Sequence, residues 1–511
     1  MLKRNIVANY VGNAWTALMA IAFVPLYVKY LGDEAYGVVG IAAATQAYLG
    51  FLDAGLTPML AREMSRFTGG AHSAEAIRSL MRIVELWAWS IGVVAIIAIW
   101  FAAPWIASDW LRTETLEPES IAHALRIMAL VVGLRFIEGL YRGCLVGLQR
   151  QVTTNMVAVG AATVRGFGAV GVLAWWSPTL DAFFWWQGAV SLASAAAYVM
   201  CTYSALPSAK VSMALGRRAL RAAWPFAKGM LLSSFLVLAL TQTDKVLLAR
   251  LLDLSDYGRY TVALVASSCV AMAAGPIGQA FYPRLSELYA RGQEAAFARA
   301  FHHTAQLISV VAGTAGVTLL LFADTIMLLW TRNPDLAAAT ATPLRLLALG
   351  NLLNAFMHAP YHAQLATGWT SISNRINMVA IAAVVPALIL VVPNFGMTGA
   401  AGVWAALNAS YVLVGAPLSF RRLLRGEQRR WYLRDLAAPI GAALAAGALV
   451  RAAGHWLPEG SWLGAAEVAV GAAAIGIAAT LASPTTRAAL ATILKRFSEH
   501  RRSGASGAFL D

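Results

Sequence analysis

LALTQTDKVLLARLL, residues 238–252, sets the polar run Thr241-Gln242-Thr243-Asp244-Lys245 inside otherwise apolar sequence. The run matters only if its surroundings are a membrane, and the composition says that they are. Of 511 residues, 59% are hydrophobic and 13% charged, where a soluble domain carries about 25% charged residues. Mean hydropathy is +0.64. Apolar stretches of membrane-spanning length recur along the whole chain. The period-2 alternation of an outer-membrane barrel is absent, so the spans are helices. The predicted fold is an all-α integral membrane protein of about fourteen transmembrane helices. At a bilayer centre a charge costs roughly 2.5–3.5 kcal/mol on insertion scales, so it normally faces protein or a wet cavity.

Working outward, the first 30 residues begin MLKR and turn apolar. That stretch is too long for a signal peptide and has no small-x-small cleavage site, so it is expected to remain as the first span. An even number of spans puts both termini on one side. Most of the 39 Lys and Arg fall on that side, which the positive-inside rule makes cytoplasmic. Many of the 17 Trp, among them Trp175, Trp176, Trp185 and Trp186, fall at the opposite boundary, as an interfacial belt does. The net charge of +14 therefore reads as a topology signal and an attraction to anionic lipids, with no nucleic-acid partner. Cys144, Cys201 and Cys269 sit in hydrophobic segments as small packing residues. Connecting loops are short, with no room for a catalytic domain.

The chain also repeats itself. KYLGDEAYGVVG (29–40) closes one span and opens the next, and ARLLDLSDYGRY (249–260) does the same about 221 residues later. Six helices per unit give the repeats one orientation, as in parallel repeats about an axis along the membrane normal. The expected organisation is a six-helix lobe over 1–204, a basic linker over 205–224, a second six-helix lobe over 225–420, a basic loop over 421–435, an extra helix pair over 436–483 and a tail over 484–511.

Several polar stripes are candidates for function. On a helix Ser234, Thr241 and Lys245 fall within about 40° of one another, with Gln242 and Asp244 to either side. They line a cleft or clamp two helices. Asn5, Asn9, Asn13 and Thr16 form a stripe within about 80° on the first span, either cleft lining or hydrogen-bonded glue. Arg135, Glu138 and Arg142 follow i, i+3, i+7 spacing and form one ladder. Arg126 is turned away from Arg135, and Arg165 adds a buried cation between glycines. A guanidinium is permanently charged and forked, which suits phosphate oxygens. Intramembrane arginines with few acids point to an anionic substrate; the alternative is pairing with Glu138 and snorkelling of Arg142. Gln46, Asp53 and Thr57 share one side of the second span, where Asp53 could pair with an Arg or carry a proton. Asn351, Asn354, His358, Tyr361 and His362 lie within an arc of about 100°. They would make a polar wall for sugar hydroxyls, a protonatable pair or ordinary packing. No third ligand accompanies His358 and His362 at metal spacing, so no metal is expected. Glu85 and Glu467 lack companions and receive no role.

No nucleotide loop, dinucleotide fingerprint, nucleophile elbow or HExxH motif occurs, so no cofactor is implied. Any energy coupling would come from ions, membrane potential or the substrate gradient.

VPLYVKYLGDEAYGVVG (24–40), FLDAGLTPMLAREMSR (51–66) and TDKVLLARLL (243–252) together resemble the polysaccharide-biosynthesis transporters. These are the O-antigen and exopolysaccharide flippases of the multidrug/oligosaccharidyl-lipid/polysaccharide exporter superfamily. The resemblance covers the first twelve spans in organisation and implies two lobes in a V with a central cleft. It implies transport of an undecaprenyl-pyrophosphate-linked glycan to the outer leaflet of the bacterial cytoplasmic membrane by alternating access. It marks Asp53 as the Asp-Gly-Leu acid and Asp244 with Lys245 as the polar centre of the second lobe. Polysaccharide polymerase or export proteins are the implied partners. Other readings are a lipid II flippase, a cation/drug antiporter of the same fold, a membrane polymerase or ligase, and a non-transporting component of a polysaccharide assembly complex.

Overall fold

The computed structural model describes residues 2–52, 55–369, 371–454 and 462–488. Within these helices the side chains of 2–7, 10, 50–52, 225–237, 239–241 and 371 are not described, so Asn5, Ser234 and Thr241 are placed by backbone alone. Asp53 lies outside the described residues.

The described chain is helical throughout, apart from short turns and one isolated bridge, Arg112 with Asp253. It forms two compact units, residues 1–261 with 388–393 and residues 262–387 with 394–511. In the first unit the order is α1 (Leu2–Ala22), α2 (Val24–Leu31), α3 (Asp33–Leu52), α4 (Leu56–Thr68), α5 (Ala74–Trp105), α6 (Pro118–Gly147), α7 (Gln151–Trp175), α8 (Leu180–Ala205) and α9 (Met213–Leu251). Then α10 (Leu254–Ala290), whose first residues belong to that unit, leads into α11 (Glu294–Thr331), α12 (Pro334–Phe356), α13 (His358–Ala366), α14 (Ser371–Ser410), α15 (Ala416–Leu423), α16 (Gln428–Arg430), α17 (Ala438–Gly454) and α18 (Trp462–Ala482). Ten helices among the described residues are long and apolar enough to cross a membrane. The protein is a multi-pass, all-α membrane protein.

Helix breaks have local causes. Pro25 cannot donate a backbone hydrogen bond, and the first span divides at Phe23 into α1 and α2. Gly396, at φ 54° and ψ −143°, breaks the helical path inside α14.

The packing that aims the polar residues lies in the first unit. Leu56, Met59, Leu60 and Met64 of α4 pack with Ile77, Leu80 and Val84 of α5 and with Ile137, Leu140, Tyr141 and Cys144 of α6. Burying that face of α6 turns Arg135, Glu138 and Arg142 the other way.

The two repeated turns meet within this unit. Gly37 lies against Leu254, Gly258 against the Asp33 carbonyl, and Gly40 against Thr261 and Tyr257. A β-carbon at any of the three would collide, so glycine is what permits the approach. Arg259 Nε donates to Asp33 Oδ2 at 2.8 Å, and its Nη1 lies 3.5 Å from Asp256. The segment after α5 joins them. The Leu254 N–H donates to the Arg112 carbonyl at 2.8 Å. Glu34 accepts the backbone N–H groups of Glu114 and Thr115 at 2.8 and 3.0 Å.

Candidate functional site

The ladder on α6 opens onto a cavity of about 400 Å³ inside the first unit, walled by α1, α2, α3, α6, α7 and α8. That volume lies within the usual range of about 300–1,000 Å³ for small-molecule sites. Arg135, Glu138 and Arg142 reach it from α6 and Arg165 from α7. Two glycines bring α7 close enough. Gly166 faces the Phe23 ring and Gly168 the Trp186 indole, each closer than a β-carbon would allow.

Arg135 is tied to both sides of the cavity. Its Nη1 donates to Gln46 Oε1 at 2.6 Å and its Nη2 to Gln187 Oε1 at 3.5 Å. Arg165 Nη2 donates to Ser191 Oγ at 3.3 Å and stands 3.9 Å from Glu138 Oε2. Glu138 Oε2 also accepts from Ser194 Oγ at 2.9 Å. The Nε atoms of Arg135 and Arg165 are buried with no hydrogen-bond partner among the described residues. Arg142 is exposed at the cavity edge. Gln46 and Arg135 also border a second cavity of about 330 Å³, with Thr57 and Pro58 on its wall. The Arg135–Gln46 bond is thus a partition between two voids. Three guanidiniums against one carboxylate make the larger cavity a cationic, partly desolvated chamber that can hold a polyvalent anion.

The remaining candidates divide. Asn13 and Thr16 line the cavity. Asn9 instead accepts from Asn155 Nδ2 at 2.6 Å and so pins α1 to α7. Arg126 lies over the Trp100 ring at 5.7 Å, away from the cavity. On α9, Lys245 Nζ stands 3.7 Å from Asp244 Oδ1, with both side chains about one-fifth exposed. Gln242 is half-buried on the same helix. None of the described α9 residues lines the cavity. Asn354 and His358 belong to the second unit. Asn354 Nδ2 donates to Asn408 Oδ1 at 2.8 Å, and the His358 and His362 rings stand 6.4 Å apart and perpendicular.

Some cavity residues carried no assignment in the sequence. Tyr27 and Gln187 line it, and Ser191 and Ser194 hold its charged groups. Gln187, Ser191 and Ser194 follow i, i+4, i+7 spacing, the same signal that exposed the α6 ladder. The two solitary acids are partnered as well. Glu85 accepts from Tyr141 and Tyr203 at 2.8 and 2.6 Å, and Glu467 pairs with Arg451 at 3.2 Å.

Residues 2–289 match the model of a family described as polysaccharide biosynthesis protein. The chain belongs to that family. Residues 230–390 also match the MatE family model. A Shigella flexneri protein named as a candidate O-antigen transporter is 21% identical over 404 residues, which is 79% of this chain and 94% of that protein. Among solved structures, the lipid II flippase MurJ in an inward closed conformation aligns with a TM-score of 0.67 at 11% identity, covering 93% of this chain and 98% of that one. An inward-facing multidrug resistance MATE family transporter of the MOP superfamily aligns with a TM-score of 0.64 at 14% identity, over 80% of this chain and 94% of that one. This member of the polysaccharide biosynthesis protein family thus has the fold shared by those two transporters.

Proposed function

We propose that this transporter is a flippase that carries an undecaprenyl-pyrophosphate-linked oligosaccharide, an O-antigen, capsule or exopolysaccharide repeat unit, across the bacterial cytoplasmic membrane. The observation that carries this proposal is the chamber lined by Arg135, Arg142 and Arg165 with the single acid Glu138. Forked guanidiniums bind phosphate oxygens bidentately, and a partly desolvated chamber strengthens that attraction. In this scheme the arginines hold the diphosphate, and Gln46, Gln187 and Asn13 offer amides to the first sugar. The polyprenyl tail stays in lipid. An excess of cations also disfavours a cationic drug as cargo. Asp244 and Lys245, with Asp53, are assigned to coupling or charge pairing.

Transport proceeds by alternating access between lobes 1–204 and 225–420, with both termini cytoplasmic and no chemical step catalysed. Polysaccharide polymerase or export proteins would take the glycan onward.

The test is reconstitution into vesicles with a fluorescent polyprenyl-pyrophosphate oligosaccharide, following its access to an external quencher. Arg135→Gln and Arg165→Gln are compared with the unaltered protein at equal insertion. Loss of translocation in both supports the proposal. Full activity in both keeps the flippase and removes the chamber as its site. Efflux of a cationic dye without glycolipid movement, or movement of lipid II alone, replaces the substrate class.

A further inference from the structure

In the second unit a recess of about 670 Å³ opens where the ends of four helices converge. Its walls are the turn after α10 (Tyr289 to Gln293), the first turn of α11, the Thr367–Trp369 turn after α13, and Arg422 to Glu427 at the end of α15. Helix ends mark a membrane surface, so the recess sits at headgroup level. These loops belong to the face on which Lys and Arg are in excess, with Arg291, Arg421, Arg429 and Arg430 close by in sequence.

The chemistry of the recess is amphipathic. The Arg422 guanidinium lies over the Trp369 ring at 4.7 Å. Arg425 Nε donates to the Arg421 carbonyl at 3.1 Å, which orients its outer nitrogens. Among the described residues neither Arg422 nor Arg425 has a carboxylate in ion-pair range. Two carboxylates share the wall: Glu427 is engaged by His302 Nε2 at 3.0 Å and Arg430 at 3.7 Å, and Glu294 lies exposed at the start of α11. Phe297 and Leu424 are buried on the apolar side. Two available guanidiniums, an interfacial Trp and an apolar floor match one kind of molecule: a phosphodiester with acyl chains attached.

We propose that this recess binds the headgroup of an anionic membrane phospholipid, with Arg422 and Arg425 on the phosphate and Phe297 and Leu424 against the first acyl carbons. The bilayer itself supplies the ligand, since basic pockets between spans on this face take anionic headgroups. The site is independent of the transport chamber and of its cargo. Glu427 links it through His302 to Asp435, so occupancy braces α11 against the connection into α17.

The experiment is native mass spectrometry of the full-length protein in detergent with phosphatidylglycerol, phosphatidylcholine or inorganic phosphate added. The expected result is retained phosphatidylglycerol, little phosphatidylcholine, and at least a tenfold drop in the Arg422→Gln/Arg425→Gln double variant. A second variant, Leu423→Trp, keeps both charges and fills the recess, and it too should lose the lipid. Thermal midpoints of both variants are measured to confirm that they fold. Equal retention by the unaltered protein and both folded variants overturns the proposal. So does equal retention of the two lipids. Displacement of phosphatidylglycerol by millimolar inorganic phosphate overturns the lipid and leaves a free-phosphate site.

Discussion

Neutralising the one acid of the chamber should strengthen anion binding, which is the reverse of what loss of a structural contact would do. Glu138→Gln keeps an oxygen to accept from Ser194, now at 2.9 Å, and removes one negative charge. Its contact with Arg165 is long, 3.9 Å, with the side chains 18% and 21% exposed, so the stability cost should stay below about 1.5 kcal/mol. For a phosphate charge taken to lie about 7 Å from Glu138, the repulsion removed at effective dielectric constants of about 20 to 40 is roughly 1–2 kcal/mol per charge. That corresponds to about 5- to 30-fold tighter binding, since each 1.4 kcal/mol is tenfold. The assay is titration of a fluorescent polyprenyl pyrophosphate into nanodiscs carrying the protein, with translocation measured in parallel. Affinity should rise while turnover falls, because a tighter anion leaves more slowly. Arg165→Gln should move affinity in the opposite direction by a similar factor. Unchanged or weaker binding in Glu138→Gln, with the thermal midpoint preserved, would refute the electrostatic account of the chamber.

Arg126→Gln should leave affinity and translocation within about twofold of the unaltered protein, because Arg126 rests on Trp100 and not on the chamber wall. Gly258→Ala forces a β-carbon onto the Asp33 carbonyl, and the thermal midpoint should fall by an amount equivalent to roughly 1–3 kcal/mol. His302→Ala removes a partner of the fully buried Asp435 carboxylate, leaving it Gln306 at 2.8 Å among the described residues. That should destabilise the protein by roughly 3–5 kcal/mol, read as a lowered midpoint, while polyprenyl pyrophosphate affinity stays unchanged.

What was legible in the sequence follows a physical rule. Hydropathy reports on the solvent, so the membrane class and the helical character of the chain could be read directly. A stripe confined to one helix could also be read: the spacing of Arg135, Glu138 and Arg142 places them together without knowledge of any neighbour. Partners on other helices could not. Gln46 and Gln187 reach Arg135 from positions 89 and 52 residues away in the chain, and periodicity carries no information about which helices adjoin. The same limit explains the α9 run. Thr241 to Lys245 could be read as lining a cleft or as clamping two helices, and periodicity could not say which; Asp244 and Lys245 stand 3.7 Å apart, and the described α9 residues do not line the chamber. Asn9 likewise shares a stripe with Asn13, but its neighbour Asn155 decides its hydrogen bond.

The meeting of the two repeated turns is reciprocal. Gly37 and Gly258 are equivalent positions, as are Asp33 and Leu254. Gly37 touches Leu254 and Gly258 touches Asp33, while Gly40 faces its own equivalent, Thr261. Such reciprocity is the mark of an isologous interface, in which two copies of one surface close on each other about a two-fold axis. Because both turns lie in one polypeptide, the two faces are free to differ. They do differ. The ion pair between Arg259 and Asp33 has as its symmetry mate the positions of Val38 and Leu254, both buried and apolar. One side of the pseudo-axis is held by charge and the other by hydrocarbon, so salt would loosen only the first.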